Sequence, residues 1–251
     1  MMKLKSAIWR QIMTICTLTT VFSGSLLSVI SLPQAQAQSL FDRIFNSSAS
    51  EGSASGRSRG GATRSQCTQL GSKNLIALAP QSNEGLTTKE YPDFWFYLPF
   101  GGSSQSPPAK FRLLDEQNKS VLKKSPQWYS LPEKKGIAHF TLPSTEQPLS
   151  IGKRYHWYFN MTCVNDQGTQ SNISVDGWIK RVEPNSTLVE RLKNTQPQDQ
   201  YIPYVENKIW YEAVSQLAEY RAIHQTEWVK LLSLYGLEKV APDPISEIKS
   251  L

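Results

Sequence analysis

Leu149–Cys163, LSIGKRYHWYFNMTC, is the stretch whose reading decides the fold. Leu149, Gly152 and Tyr155 are spaced as in a tyrosine corner, where a Tyr at the start of a strand sends its hydroxyl back to upstream backbone and braces a crossing between two sheets. From Tyr155 onward the residues alternate. Tyr155, Trp157, Phe159, Met161 and Cys163 fall on one face, and His156, Tyr158, Asn160 and Thr162 on the other. Successive strand side chains point to opposite faces, so this is a core strand with one apolar and one mixed face.

Working outward, Lys73–Arg181 reads as short strands between turn signals. The expected strands are Asn74–Ala79, Asp93–Pro99, Lys110–Asp115, Ser120–Lys124, Gly136–Leu142, Tyr155–Cys163 and Ile173–Val182. Gly85, Pro92, Gly101-Gly102, Pro107-Pro108, Asn118, Pro132, Pro143, Gly152 and Gly168 punctuate them. Strands at this spacing, with few helical patterns, predict an immunoglobulin-like or fibronectin-III-like β-sandwich over residues 67–183. In Asp93–Pro99 both faces are apolar, Phe94, Phe96 and Leu98 against Trp95 and Tyr97, and the sequence leaves open which set meets the core.

Residues 184–251 change character. Asn185 or Ser186 can cap a helix carrying Leu188, Val189 and Leu192, and Pro197 can open a second with Tyr201, Tyr204 and Val205. Ile209, Trp210, Ala213, Val214, Leu217 and Tyr220 recur at helical spacing across Ile209–Ala222. Thr226 can cap a last helix with Trp228, Val229, Leu231 and Leu232, which Gly236 would stop. The run from Tyr201 to Tyr220 resembles one tetratricopeptide helical hairpin. A solenoid needs about three such units, so a lone one must pack on the sandwich.

The N-terminal 37 residues have the pattern of a secretory signal peptide. Lys3, Lys5 and Arg10 precede the uncharged run Ile12–Ile30, and Ala35-Gln36-Ala37 offers small residues for cleavage before Gln38. An uncleaved membrane anchor is the alternative. Residues 38–66 follow as a Ser-, Gly- and Arg-rich linker whose composition buries too little apolar area to offset ordering. The signal takes Lys3, Lys5 and Arg10 with it. Of 27 basic residues 24 remain against 21 acidic ones, so the net charge falls from +6 to +3, too mild to suggest nucleic acid. Cys16 also leaves with the signal. Cys67 and Cys163 remain, and an even pair in an exported chain reads as a disulfide, with two separate buried thiols as the alternative.

The runs GLTTKEYPDFWFYLPF (Gly85–Phe100), GIAHFTLP (Gly136–Pro143), GKRYHWYFNMTC (Gly152–Cys163), GWIKRV (Gly177–Val182) and NKIWYEAVSQLAEYR (Asn207–Arg221) resemble, in order, a cyanobacterial family known as domain of unknown function 928. The likeness spans Cys67 to Leu237. Asn207-Lys208 and His139 depart from the usual pattern, and neither change touches the fold. The resemblance implies an exported protein of the periplasm or cell envelope and carries over no catalytic residue.

The chemistry is sparse. No G-x-S-x-G, H-E-x-x-H, Walker loop or C-x-x-C occurs. His139 and His156 fall on opposite sheets, and His224 lies between two helices, so each reads as a surface His and a shared metal is not expected. Asp166 and Asp176 flank one hairpin and Asp115-Glu116 sits in a turn, where acids are ordinarily solvated. The candidate binding residues are aromatic: Tyr158 and Trp178 on the outward face of neighbouring strands, and Trp95 and Tyr97. If the hairpin pairs Cys163 near Ile173, Tyr158 and Trp178 stand directly opposite each other. The C-terminal helices are expected to land on that pair. The chain therefore reads as an exported, non-enzymatic binding or scaffolding module without cofactor or metal. Its partner would be an envelope protein or glycan, and it would meet a membrane only through an uncleaved signal. The alternative is a glycan-binding protein or hydrolase of the envelope with an unrecognised acidic site. N-terminal sequencing of the exported form checks the first part, and the expected first residue is Gln38; a product that retains Met1 and partitions with membranes would show an anchor.

Overall fold

The computed structural model describes residues 57–59, 67, 74–103, 106–165 and 167–251. The expected signal segment and most of the expected linker lie outside the described residues, as does Asp166. Eight strands come first: β1 Ile76–Ala77, β2 Glu84–Thr87, β3 Asp93–Leu98, β4 Ala109–Leu114, β5 Gln127–Ser130, β6 Gly136–Thr141, β7 Arg154–Val164 and β8 Gln170–Arg181. Four helices follow, α1 Ser186–Asn194, α2 Tyr201–Glu206, α3 Trp210–Glu219 and α4 Gln225–Ser233, and then the short strands β9 Ser246–Glu247 and β10 Lys249–Ser250. The fold is mainly β. Its first sheet runs β1-β3-β6-β9, and its second runs β10-β5-β4-β7-β8-β2.

The alternation of β7 is realised in full on its apolar side: Tyr155, Trp157, Phe159, Met161 and Cys163 are all buried. The two sheets meet through aromatic rings. Phe96 stacks on Phe159 at 4.3 Å, Phe94 lies 4.8 Å from Phe111, and Phe140 lies 4.3 Å from Tyr129. Cys67 and Cys163 form a disulfide with Cα atoms 5.7 Å apart. Closing a loop of 96 residues removes denatured-state entropy equivalent to about 4–5 kcal/mol in the chain-entropy account. At the corner, the Ser150 N–H donates to the Tyr155 hydroxyl at 2.9 Å, so the hydroxyl accepts rather than donates. Arg181 Nη1 donates to the Leu149 carbonyl and the Gly152 N–H to the Arg181 carbonyl, which ties the corner to the end of β8.

Strand β3 is buried on both faces, which settles the question its sequence leaves open. Phe94 and Phe96 face the second sheet, and Trp95 turns the other way to meet α3, where its Nε1 donates to Ser215 Oγ at 3.0 Å. The helices therefore land on β3 and β2 rather than on the side chains of Tyr158 and Trp178. The reason is burial. The outer face of the first sheet carries Trp95, Tyr97 and Ile137 beside Asp93 and His139, and covering those three large apolar side chains gains more than covering the more highly charged outer face of the second sheet. Trp210 Nε1 donates to the Leu78 carbonyl and the Tyr235 hydroxyl to the Ala79 carbonyl, pinning the helical layer beside β1. α3 also reaches the second sheet. Tyr211 accepts from Trp157 Nε1 at 2.9 Å and donates to the Trp178 carbonyl at 3.3 Å. Two glycines make room: a Cβ at Gly177 would stand 2.5 Å from the Trp157 ring, and one at Gly85 2.7 Å from that of Tyr211.

Four expectations are corrected. Cys163 pairs with Ser171, not Ile173, so Tyr158 stands opposite Asp176 and His156 opposite Trp178. The cause is the turn. Asn165 Oδ1 accepts from the Gln167 and Thr169 N–H groups and Gly168 takes φ +77°, which closes the hairpin tightly enough to pair Val164 with Gln170. A slip of two residues keeps every side chain on its face and changes only its partner. Ser120–Lys124 is not a strand. Ser120 Oγ bonds to both the N–H and the carbonyl of Leu122, a local alternative to a ladder, and β5 takes the place beside β4. The region 184–251 is not all helical, since β9 pairs with β6 and β10 with β5, so its last residues complete both sheets. Within the expected linker, Arg57–Arg59 is tied to the sheets: the Asp176 N–H donates to the Arg57 carbonyl, the Ala77 N–H to the Ser58 carbonyl, and Arg59 bridges Ile76.

Replacing Tyr155 by Phe leaves the Ser150 N–H without its acceptor, and the expected loss is about 1–2 kcal/mol in urea denaturation. A loss below about 0.3 kcal/mol would show that the corner owes its stability to packing alone.

Candidate functional site

The mixed face of β7 and the outward positions of β8, β4 and β2 form one surface on the second sheet. The outward residues Arg154 to Asn160 on β7 and Ser174 to Lys180 on β8 are half-buried and alternate with buried ones. His156 sits at the centre. Its Nε2 lies 2.7 Å from Asp176 Oδ2 and its Nδ1 2.9 Å from the Tyr158 hydroxyl. With the proton on Nε2, the imidazole donates to Asp176 and accepts from Tyr158. The Asp176 carboxylate also accepts the Arg57 N–H at 3.0 Å.

Aromatic contacts extend this chain sideways. The His156 ring stacks on Trp178 with centroids 4.2 Å apart, and the Arg154 guanidinium lies 4.0 Å from the Trp178 ring. Arg154 is held there by Glu84 Oε2 at 2.8 Å. On the other side the exposed Arg112 lies 4.8 Å from the Tyr158 ring, and Lys110 Nζ 4.9 Å from that of Trp128. A cation over a ring face contributes about 0.5–1 kcal/mol when exposed and holds the charge in place.

This arrangement is poorly suited to nucleophilic chemistry. Burial, together with the Asp176 charge, holds the Tyr158 phenol above its ordinary pKa, against a smaller opposing pull from Arg112. A nucleophile is activated by the opposite shift. Among the described residues the face is an open sheet, and small-molecule sites are concave. A groove of about 650 Å³ does lie beside α1, between Val189, Leu192, Pro197 and Thr88, with Lys193 the one charged side chain in its lining. Among the described residues no group of three or more His, Cys, Asp or Glu could hold a metal ion.

Of the sequence-predicted candidates, Tyr158 and Trp178 are on this surface, joined through His156 rather than directly. Trp95 and Tyr97 are not on a surface. They are 8% and 6% exposed under the helical layer, and Trp95 stacks on His139 at 4.4 Å. Cys67 and Cys163 are in the core. Neither His156 nor His224 is a free surface residue. His224 is 8% exposed, 3.2 Å from Asp199 Oδ1 and beside the buried Glu227, because the start of α4 packs back on Tyr201. Sequence reasoning missed Arg112, Arg154, Glu84 and Trp128. The outward alternation Arg154, His156, Tyr158 was a usable signal; the strand containing Trp128 was not recognised.

These elements define a β-rich protein of two facing sheets, covered on one side by helices and carrying a polar aromatic surface on the other. The chain belongs to the family described as Domain of Unknown Function (DUF928), whose profile matches residues 59–245. Comparison with curated proteins and with solved structures gives no match.

His139 supplies a pH test of the covered side. Burial holds its imidazole below the ordinary value, while Asp93 and Glu247 pull the other way. Burial also pushes the Asp93 carboxyl up, but hydrogen bonds from Thr141 and Ser215 and the Lys89 ammonium outweigh it and hold the group low. A folded-state value below the unfolded one means stability that is present above the unfolded value and lost as pH falls. For His139 that loss begins near 6.5, and for Asp93 only below about 4. Stability should therefore drop between pH 7 and pH 5, and His139→Phe, which keeps the stack on Trp95, should drop less in urea denaturation at the two values. An equal drop would place the acid sensitivity elsewhere.

Proposed function

We propose that this protein is an exported, non-enzymatic binding or scaffolding module of the cell envelope whose ligand face is the outer surface of the second sheet. The observation that carries this reading is the tract of rings and cations from Trp128 through Tyr158 and His156 to Trp178, left on the face opposite the helices. Export is supported by the Cys67–Cys163 disulfide, which suits an oxidising compartment, and by the signal-like pattern of the N-terminal 37 residues. No helix of the described residues is long and apolar enough to cross a membrane.

The fold reading behind the proposal is a fibronectin-III-like sandwich. The orders β1-β3-β6 and β5-β4-β7-β8 match an A-B-E sheet facing a C′-C-F-G sheet, with the tyrosine corner leading into the F-like strand β7. The packed pair α2 and α3 is read as one tetratricopeptide-like hairpin that uses the first sheet as its neighbour. Such sandwiches serve widely as recognition modules, which is analogy rather than mechanism.

A second reading, a hydrolase of envelope glycan, draws on the Tyr158–His156–Asp176 chain and on Glu84 nearby. A glycosidase needs two carboxyls at defined separation with one free to protonate. Here Asp176 is held by His156 and Arg57, and Glu84 by Arg154, which favours the first reading.

The test is sedimentation of the exported protein with envelope fragments. Wild type should co-sediment, and Tyr158→Ala and Trp178→Ala, checked for unchanged near-UV circular dichroism, should do so at least fivefold less. Folded variants that sediment like wild type would remove this face as the ligand surface. Release of reducing ends that stops in Asp176→Asn would establish the hydrolase instead.

A further inference from the structure

Charge is not evenly neutralised on this face. Asp176 is engaged by His156 Nε2 and the Arg57 N–H, and Glu84 by Arg154. Arg112 and Lys110, on β4, have no carboxylate partner among the described residues. Each instead lies over a ring of a neighbouring strand, Arg112 over Tyr158 and Lys110 over Trp128. The two residues stand about 6–7 Å apart along one face of the strand, and their charged heads lean to opposite neighbours, Lys110 towards β5 and Arg112 towards β7. Trp128 beside them is 40% exposed, a large planar surface that faces solvent.

We infer that the β4–β5 end of this face is a binding site for an acidic polysaccharide, with Arg112 and Lys110 taking its anionic groups and Trp128 stacking on a sugar ring. The inference rests on the binding-module reading above and names its ligand class. Three properties select that class. A guanidinium fixed over a ring is preorganised and weakly hydrated, and its planar fork fits a carboxylate bidentately. On the other side of the strand Trp128, 40% exposed although Lys110 lies over its ring, offers flat apolar area at the scale of one sugar. An open sheet with charges at strand spacing suits an extended chain, whereas a small molecule needs a cleft. A protein partner is less well matched. Interface hot spots are aromatic anchors buried in desolvated pockets. Here the ring faces of Tyr158 and Trp178 already carry Arg112, and His156 with Arg154, so the surface presents polar edges.

Affinity electrophoresis of the exported protein tests this, in native gels containing polygalacturonate, dextran sulfate or neutral dextran. Wild type should be retarded by polygalacturonate and not by neutral dextran. Lys110→Glu/Arg112→Glu should raise the apparent dissociation constant at least tenfold in protein whose near-UV circular dichroism is unchanged, and Trp128→Ala should raise it severalfold. Lys239→Glu, an exposed charge reversal away from this face, should leave it within twofold. Retardation by dextran sulfate alone keeps a polyanion site and assigns it to sulfate. Equal retardation by neutral dextran would overturn the acidic class while leaving a glycan-binding module. An equal loss in Lys239→Glu would show net charge alone at work. No retardation in any gel, with co-sedimentation on envelope fragments intact and sensitive to Tyr158→Ala, would overturn the polysaccharide inference and point to a protein partner on the same face.

Discussion

A buried indole N–H must find an acceptor, and Trp157 finds its acceptor on a helix. The Tyr211 hydroxyl accepts that hydrogen bond and donates its own to the Trp178 carbonyl. Leaving a buried donor unpaired costs on the order of 1–3 kcal/mol, so neither layer is complete without the other. The geometry around this relay explains residues that otherwise have no purpose. Gly177 is bare because the Trp157 ring lies on it, and Gly85 because the Tyr211 ring does. The next residue of α3, Glu212, is 2% exposed, and its Oε1 accepts from Thr87 Oγ1, Thr88 N–H, Thr88 Oγ1 and Lys89 N–H. The segments Gly85–Lys89 and Trp210–Glu212, which carry much of the family resemblance, are thus two halves of one joint. Their motif-like appearance reflects packing and hydrogen bonding.

The joint divides the molecule into a covered and an open side. Once α3 is anchored at β2 and β3, the apolar outer face of the first sheet is buried beneath Ala213, Leu217 and their neighbours. The outer face of the second sheet is left to its own polar chemistry. There, stacking and cation–ring contacts do what a covering layer does elsewhere: they reduce the apolar area of Tyr158 and Trp178 that water meets, while the charged heads stay in solvent. A lone exposed Trp–Tyr pair would make the surface sticky. The interleaved His156, Arg112 and Arg154 give it a polar character instead.

How far the sequence revealed this follows from where the information resides. Strand β7 was legible because the alternation across Tyr155–Cys163 outweighs any competing reading, and the helices because Trp210, Ala213, Val214 and Leu217 repeat at helical spacing. The family match agrees with the motifs that suggested it. The hairpin register was not legible, because it depends on how Asn165 and Gly168 fold the turn, and a two-residue slip leaves the hydrophobic pattern unchanged. Strands β9 and β10 have two residues each and carry no period at all. β5 has four and was displaced in the reading by the more apolar Val121-Leu122. That error mattered most for the site, since β5 brings Trp128 beside Lys110.

The landing place of the helices shows why compositional reasoning alone misassigns a surface. Both Trp95 with Tyr97 and Tyr158 with Trp178 are outward aromatic pairs, and either could have been the buried one. What separates them is the company each keeps. Around Trp95 the neighbouring outward positions are Tyr97, Asp93 and the cross-strand His139, with Ile137 beside Tyr97; Asp93 is held by Thr141, Ser215 and Lys89, so covering this face buries three large apolar side chains beside one imidazole and one carboxylate that is already partnered. Around Trp178 they are His156, Asp176, Glu84 and Lys180, whose heads would each have to be desolvated or paired beneath a helix. At roughly 25 cal/mol per Å² of apolar area, a few ring faces cannot offset the burial of several charges. The helical layer therefore closes over the first sheet. The outer face of the second sheet, uncovered among the described residues, is the consequence of that balance.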